Sequence, residues 1–375
     1  MSERALRVVV AASAALLGVI SWGCTSGVTP AVPRAFNRPD RIAFVCFDTT
    51  STTDPRPAPL SECRTAIDGT YPTNRRLHAL VTQLARGEVA AIDLTAHTIL
   101  DSDRRIPGFT FVPVDELPVD IVAPAEHAAC AWVASGAGRT LTAIAIERFR
   151  PEHGDDTANS AFVLPLPGRP ARLALAPDER TIWISFPDLG AVGRVAIDPD
   201  RCTAGAVDLI TLAPDVPAGA VADPQAEVIA LCAPPDFEYS ESGAIEPREF
   251  VADDPVPAPS EMIVDGERGE LYVADTSLPL VHRIDLATGA LRASLSVGAP
   301  VRDLAITPGI PDTYLLASEL PADMTTQSRF LYAIDDVDGT VMVVDVTDPL
   351  APGFGAVLSV DVEGSSRPDR IPLPV

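Results

Sequence analysis

Short apolar segments recur along the chain, and each of them is bounded by Asp, Gly or Pro. The segments are rich in β-branched residues and continue for only a few positions before a turn-forming residue interrupts them. Apolar runs of this length, bounded in this way, are typical of β-strands. The pattern therefore predicts an all-β protein built from many short strands.

The predicted strands fall into types that recur in a fixed order. The first type has Pro followed by an aliphatic residue three positions later, or four in the last case, at Pro39, Pro118, Pro170, Pro259, Pro368 and Pro300. The second type pairs an aromatic residue with small or aliphatic neighbours, at Trp132, Trp183, Tyr272 and Tyr314. The third type reads aliphatic-x-x-aliphatic-Asp and begins at Val89, Val281 and Val341. A fourth apolar run follows in most units, as at 291–297 and 356–362.

Four strands per unit, repeated in order, predict a β-propeller of four-stranded antiparallel blades, because each blade buries both faces against its neighbours. The unit starts predict about five to seven blades. In the cleanest unit, from Pro259 to Pro300, three segments resemble the YVTN-type β-propeller repeats of surface-layer and periplasmic proteins: Ile263-Val264-Asp265, Leu271-Tyr272-Val273-Ala274-Asp275 and Ile284-Asp285-Leu286-Ala287-Thr288-Gly289. The resemblance implies a fold family and implies no activity.

The predicted propeller occupies residues 39–375 as one domain, with long Pro-rich insertions at 48–76 and 233–258. A further unit is predicted to open at Pro368, because Arg38-Pro39-Asp40-Arg41-Ile42 recurs as Arg367-Pro368-Asp369-Arg370-Ile371. Two interpretations stay open. Either the last strand completes a ring by joining the first blade, or the chain is an N-terminal fragment of a longer propeller.

The N-terminus has the charged, apolar and small-residue order of a secretory signal, which predicts a signal peptide at 1–23. Gly23-Cys24 resembles the lipobox of bacterial lipoproteins, and this resemblance implies that Cys24 becomes the lipidated first residue. Ordinary secretion with Cys24 left in the mature chain is the alternative. Residues 24–38 then form a Pro-rich tether. The predicted lipid anchor implies a location in the bacterial cell envelope, and Thr25 directly after Cys24 favours the outer membrane by analogy with enterobacterial sorting.

The remaining cysteines can form at most two disulfide bridges and leave one thiol. Proximity in the sequence favours Cys46 with Cys63 and Cys202 with Cys232, which leaves Cys130 free. Each predicted bridge closes a Pro-rich excursion. The chain has no C-x-x-C motif, which argues against thioredoxin-like redox chemistry and thiolate zinc sites.

Composition narrows the possible partners. The 37 Pro and 24 Gly leave little room for long helices, although 47% of the residues are apolar. The formal net charge of −24 argues against nucleic acid and against anionic membrane surfaces as partners. No cofactor is predicted. The segment from Pro234 to Pro259 places aromatic residues among acidic ones, so it is either a contact surface for a basic partner or a solvated excursion.

Catalytic motifs are weak in the sequence. There is no G-x-S-x-G, and the histidines stand in no recognisable setting, at His78, His97, His127, His153 and His282. The pair His127 and Cys130 is interpreted as structural rather than as half a metal site. Asp335-Asp336-Val337-Asp338-Gly339 superficially suggests calcium, but apolar strands on both sides favour a hairpin turn.

The first strands of the units share one polar feature, which is an ionisable residue directly before the aligned apolar residue: Arg41, Asp120, Arg172, Glu261, Asp303 and Arg370. Because the first strand of a blade lies innermost, these side chains are predicted to point towards one axis. They form either a neutralised structural plug or a ligand-binding mouth for a small zwitterionic or anionic molecule.

These features predict an envelope-anchored lipoprotein propeller that acts as a non-catalytic binding or interaction module. Its predicted partners are the membrane, through the lipid anchor, and a protein or small molecule at the channel or at the loop 233–258. One alternative is a propeller enzyme, such as a lactonase or a quinone-dependent dehydrogenase. A structural surface-layer component is the other.

Overall fold

The structure is a computed structural model of the 375-residue chain. It describes residues 36–50, 56–63, 74–102, 110–127, 129–149, 161–212, 237–239, 245–247, 256–307, 329–335, 339–358 and 370–372. Short 3-10 helical turns occur at Leu60–Cys63 and Ile146–Phe149, and all other regular elements in these ranges are β-strands. Within the same ranges, no helix has the length and apolar character needed to cross a bilayer.

The strands form five sheets and one separate hairpin among the described residues. Sheet 1 contains β1 (Pro39–Asp48), β2 (Arg56–Ala58), β3 (Arg75–Gln83), β4 (Glu88–Asp93), β5 (Thr98–Leu100) and β6 (Val112–Pro113). Sheet 2 contains β7 (Pro118–Val122), β8 (Cys130–Ser135), β9 (Thr140–Ala145) and β10 (Ala161–Pro165). Sheet 3 contains β11 (Leu173–Leu175), β12 (Thr181–Phe186), β13 (Ala191–Asp198) and β14 (Thr203–Thr211).

The hairpin lies within the predicted insertion 233–258 and consists of β15 (Phe237–Tyr239) and β16 (Ile245–Pro247). Sheet 4 contains β17 (Pro259–Asp265), β18 (Glu270–Asp275), β19 (Leu280–Asp285) and β20 (Leu291–Ser296). Sheet 5 contains β21 (Asp303–Ile306), β22 (Phe330–Asp335), β23 (Thr340–Asp345) and β24 (Arg370–Pro372). In sheets 2 to 5 the strands pair antiparallel in chain order, so each sheet is a meander.

Successive sheets pack face to face through four apolar layers, which join sheets 1 and 2, 2 and 3, 3 and 4, and 4 and 5. Strand β8 shows the consequence for a single strand. Its Ala131 and Val133 belong to the layer with sheet 1, whereas Trp132 and Ala134 belong to the layer with sheet 3. Because both faces are buried, the strand reads as a continuous apolar run instead of an alternating one.

The first strands β1, β7, β11, β17 and β21 contact one another in that order. Four-stranded meanders that pack face to face, with their first strands side by side, are the blades of a β-propeller. The described chain is therefore an all-β propeller of four-stranded antiparallel blades, as the sequence predicts. Sheet 1 carries two extra strands, β2 and β6, on this plan.

The aromatic residues of the second predicted strand type occupy equivalent places. Trp132 on β8, Trp183 on β12 and Tyr272 on β18 are each fully buried, in three successive layers between sheets. Each lies on the second strand of its blade and packs towards the following blade. The sequence repeat is therefore a repeat of packing between blades. Tyr314 lies outside the described residues.

The last strand does not take the place that its repeated pentapeptide suggests. β24 pairs with β23, with Ile371 opposite Val341, and so forms the outer edge of sheet 5. It neither joins the first blade nor opens a new one. On β1, Ile42 and Phe44 are 55% and 46% exposed, and no apolar cluster of the described residues joins sheet 5 to sheet 1.

Two disulfides are present among the described residues, and one of them corrects the sequence prediction. Cys46 and Cys63 are bonded as predicted. Cys202 is bonded to Cys130 and not to Cys232, so the prediction of a free Cys130 is wrong. The reason is packing: Cys130 begins β8 in sheet 2, Cys202 precedes β14 in sheet 3, and contact between these sheets brings residues 72 apart in sequence to a Cα separation of 5.6 Å. Cys232 lies outside the described residues.

Two smaller predictions can be compared with the structure. β22 and β23 pair up to Asp335 and Thr340, and Gly339 has φ of 62°, so the hairpin interpretation of this segment is confirmed. His127 lies beside Asp200, with 3.3 Å between Nδ1 and Oδ1, while the sulfur of Cys130 is taken up by its disulfide. This pair therefore has a structural environment.

Candidate functional site

The predicted ring of charged residues assembles around one carboxylate. Glu261 on β17 accepts hydrogen bonds from Arg41 on β1 and from Arg172, which directly precedes β11. The distances to Glu261 Oε2 are 2.7 Å from Arg41 Nη2 and 3.1 Å from Arg172 Nε. Three blades far apart in sequence thus meet at a single oxygen atom. We call Arg41, Asp120, Arg172, Glu261 and Asp303 the central ring.

Local backbone geometry explains why these positions point inward. The strand pairs β1–β3 and β17–β18 contain register shifts between Pro39 and Ile42 and between Pro259 and Met262. Arg41 and Glu261 lie inside these irregularities. Pro has no N–H for the ladder, and a bulge changes the direction of the side chains that it contains. The repeated Pro-x-x-aliphatic spacing is therefore the sequence signature of an irregular inner strand that presents a polar side chain.

Asp120 is the most buried member of the ring, with 6% of its surface exposed. Its Oδ1 accepts the backbone N–H of Ile121, and its Oδ2 accepts the backbone N–H of Leu173, both at 2.8 Å. The second bond joins sheet 2 to sheet 3 at the inner strands. Burial raises the pKa of Asp120 to about 6, although these hydrogen bonds and the charge of Arg41 act in the opposite direction.

Arg41 is held in its charged form, and both arginines of the ring are accessible to solvent. Burial disfavours the charge on Arg41, but the carboxylates of Glu261 and Asp120 outweigh burial and raise its pKa. Asp303, whose Oδ1 accepts the backbone N–H of Leu304, acts in the same direction. The side chains of Arg41 and Arg172 are 30% and 23% exposed. The ring is therefore a partly hydrated polar site and not a sealed core.

Some hydrogen-bond donors of the ring remain unused. Arg172 donates through Nε to Glu261 and through Nη1 to the carbonyl oxygens of Val119 and Ala171. Arg41 donates through Nη2 to Glu261. Among the described residues, Nη2 of Arg172 and Nη1 of Arg41 have no hydrogen-bond partner. These two donors suit an additional oxygen anion, because a guanidinium group presents its donors in a planar fork.

Arg370 does not belong to the central ring. It begins β24, where it lies opposite Met342 of β23 at the outer edge of sheet 5. The alignment placed it with the first strands because its pentapeptide is identical to that at Arg38. The structure therefore places five of the six predicted positions on or beside the first strands, and a ligand-binding role for them stays a prediction.

The burial of Asp120 predicts a pH-dependent stability. A carboxyl group with a pKa of about 6 when folded and about 3.9 when unfolded binds more protons in the folded state between these values. Stability therefore falls as the pH rises from about 4 to about 6, by about 3 kcal/mol, and stays reduced above that range. Urea unfolding across this range should show the decline in the wild type, and Asp120→Asn should remove it. Parallel profiles for the two proteins would contradict the assignment.

One histidine has a setting that the sequence analysis missed. His282 on β19 lies between Asp275 on β18 and Ser294 on β20, within hydrogen-bond distance of both. The available signal was the hairpin spacing, which places Val273 opposite His282 and so brings Asp275 near it. The statement that all five histidines lack a recognisable setting is wrong for His282. No group of three or more His, Cys, Asp or Glu side chains suited to a metal ion occurs among the described residues.

The sequence matches no family model and no curated protein. Similar solved structures include the β-propeller domain of Cps50 (Swd1) from Myceliophteria thermophila, with 10% identity, a TM-score of 0.42, and coverage of 74% of this chain and 65% of that chain. The dihydro-heme d1 dehydrogenase NirN is similar at 11% identity and a TM-score of 0.44, with coverage of 85% and 55%. The periplasmic gluconolactonase PpgL of Pseudomonas aeruginosa is similar at 14% identity and a TM-score of 0.44, with coverage of 78% and 67%.

The chain spans less than two thirds of the first two of these proteins. They include enzymes and a propeller domain, so they differ in activity while resembling this chain in fold. At such low identity their substrates and partners are not carried over. The propeller architecture stands on the five sheets and their packing layers.

Proposed function

We propose that the chain is an envelope-anchored binding propeller whose ligand site is the central ring. The observation that carries this proposal is the convergence of Arg41 and Arg172 on Glu261, with both arginines partly exposed. The ligand is a small anion or zwitterion that offers a carboxylate to the arginines. The ring itself performs no chemistry in this proposal.

The unused hydrogen-bond donors of the ring support such a ligand over a purely structural plug of ion pairs. A plug of buried ion pairs is stable only when its hydrogen bonds are satisfied. Here, Nη2 of Arg172 and Nη1 of Arg41 lack partners among the described residues, and both side chains reach water. An incoming carboxylate fits these donors, and an ammonium group on the same ligand fits the carboxylate of Glu261 or Asp303.

The variant Arg172→Ala tests the ligand site. We expect at least a tenfold loss of affinity for glutamate or succinate, measured by titration calorimetry, because a charge-assisted hydrogen bond contributes about 1.5–3 kcal/mol. The melting temperature should change little. Arg194→Ala is a matched control, since Arg194 on β13 forms an ion pair with Asp208 on the outer strand β14 of sheet 3, away from the ring. Loss of thermal stability in Arg172→Ala, with no binding of either probe to the wild type, would favour the plug.

The envelope location is a separate part of the proposal, supported by the lipobox resemblance at Gly23-Cys24. Replacing Cys24 with Ala should move the protein from the membrane fraction to the soluble envelope fraction, because the acyl chains would be lost. Fractionation with mass spectrometry of the N-terminal peptide measures this. A Cys24→Ala protein that stays in the membrane fraction, with no fatty acid on the wild type, would remove the lipid anchor and leave the ring proposal intact.

A further inference from the structure

Three polar side chains on three neighbouring strands of sheet 4 form a relay. His282 Nε2 lies 2.8 Å from Asp275 Oδ2, and His282 Nδ1 lies 3.3 Å from Ser294 Oγ. Asp275 ends β18, His282 is on β19 and Ser294 is on β20, so the relay runs across the sheet towards its outer edge. A carboxylate, an imidazole and a hydroxyl in this order are the groups that activate a serine nucleophile.

The environment of Asp275 fixes the roles of the two imidazole nitrogens. Burial alone would raise the pKa of Asp275, but the hydrogen bond from His282 and three backbone N–H groups lower it. Those N–H groups belong to Ser277, Leu278 and Ala258. An ionised carboxylate only accepts hydrogen bonds, so Nε2 of His282 carries the proton and donates it. In the neutral imidazole, Nδ1 then has a lone pair and accepts the hydroxyl proton of Ser294.

An irregularity in the sheet directs Ser294 towards the histidine. Val281 lies opposite Leu295, whereas Arg283 lies opposite Arg292, so residues 293 and 294 together face His282. This is a β-bulge on β20, which is an edge strand. Bulges at sheet edges turn side chains out of the regular alternation and are frequent beside active sites.

Burial decreases along the relay from the carboxylate to the hydroxyl, as nucleophilic catalysis requires. Asp275 is fully buried, His282 is 1% exposed and Ser294 is partly exposed. The acid and the base are therefore shielded from water, while the hydroxyl can be reached from outside. The relay is formed by residues of sheet 4 that are distinct from Glu261, the member of the central ring on that sheet.

We propose that Ser294 is a nucleophile that His282 activates, with Asp275 as its orienting group, and that it takes an acyl group from a small carboxylic ester. Ser294 Oγ forms a bond to the ester carbonyl carbon, and its proton passes to His282 Nδ1. The carbon–oxygen bond to the alcohol breaks, and the alcohol leaves with that proton. Water then attacks the acyl-serine by the reverse path and releases the acid. This activity goes beyond ligand binding at the central ring.

Esters are the favoured substrate class. Ser294, His282 and Asp275 supply a nucleophile, a base and an orienting acid, and these three groups suit a substrate whose leaving group is an alcohol. An alcohol leaves readily once it is protonated, whereas an amide relies more heavily on additional stabilisation of the oxyanion. The simplest probe is therefore p-nitrophenyl acetate, whose leaving group needs little assistance. The chain contains no lysine, so the side-chain amines that usually compete for this reagent are missing from the sequence.

The test is acylation of the full chain by p-nitrophenyl acetate, followed by peptide mass spectrometry. The expected result is an acetyl group on Ser294, formed at least about 100-fold faster than on other hydroxyl groups, which is the scale of general-base assistance. Ser294→Ala should remove this adduct. Ser296→Ala is the matched control, because Ser296 lies two positions further along β20 and no histidine contacts it among the described residues.

His282→Gln separates activation from simple accessibility, because it leaves Ser294 in place and removes the base. It should slow acetylation of Ser294 by at least about 100-fold. If this buried variant does not fold, as judged by circular dichroism, the comparison of Ser294→Ala with Ser296→Ala still decides the question. A folded wild type without an acetyl group on Ser294 would overturn the proposal. It would also be overturned if the Ser294→Ala protein were acetylated as fast as the wild type, at other residues. Arg194→Ala, which removes an ion pair with Asp208 in sheet 3, should leave the acetylation rate unchanged.

Discussion

Replacing Trp183 with Ala is expected to lower the free energy of unfolding by about 3–5 kcal/mol. Trp183 is fully buried on β12, in the layer that joins sheet 3 to sheet 4. Removing its ring leaves a large cavity between two blades, because the layer is built from side chains on both sheets. A loss of this size is a large fraction of the stability of a typical domain. Urea unfolding monitored by circular dichroism measures it.

Trp183→Phe is the matched variant. The indole nitrogen of Trp183 has no hydrogen-bond partner among the described residues, so Phe removes volume without breaking a polar contact there. It should therefore cost clearly less than Ala. Leu350→Ala is the control for truncation of an exposed apolar side chain. Leu350 is 92% exposed, so this variant should change the free energy of unfolding by less than about 0.5 kcal/mol. A loss of under about 1 kcal/mol in Trp183→Ala would contradict its place between the blades.

The propeller could be predicted because its repeat is a repeat of physical roles. Trp132, Trp183 and Tyr272 were aligned from sequence as one strand type, and all three prove to be buried between successive blades. The Pro-x-x-aliphatic spacing likewise located Arg41 and Glu261 on inner strands. Both signals come from residues close together in sequence, where spacing alone determines which face of a strand is occupied.

Predictions from the sequence were missing or wrong where contacts join segments that are distant along the chain. Cys130 and Cys202 meet because sheets 2 and 3 pack together, and sequence proximity pointed to another partner. The identical pentapeptide at Arg370 indicated a first strand, but pairing with β23 makes it an outer one. Ser294 gave no motif at all, since a β-bulge turns it towards His282. Pairing of strands and packing of sheets are decided by the whole chain, which short patterns do not record.

Removing the disulfide between Cys130 and Cys202 is expected to have a comparably large effect on stability. The bond closes a loop of 72 residues and joins two blades, whereas the bond between Cys46 and Cys63 closes one of 17 that links β1 to the 3-10 turn after β2. In the chain-entropy model, the longer loop contributes about 4 kcal/mol and the shorter one about 3 kcal/mol. The double variant Cys130→Ala with Cys202→Ala should therefore lose more stability than Cys46→Ala with Cys63→Ala, measured by urea unfolding without reductant.

The paired substitutions are needed because a single one would leave a thiol that an oxidant could join to the thiol of Cys232 in a new disulfide. Peptide mapping of the oxidised wild type supplies the control, and it should recover one peptide that contains Cys130 linked to Cys202. With reductant present, the wild type should lose most of its stability difference from the double variant, because both proteins then lack the constraint on the unfolded chain. Recovery of a peptide linking Cys202 to Cys232, with equal stability of the wild type and the double variant, would contradict the pairing and restore the partner that sequence proximity favours.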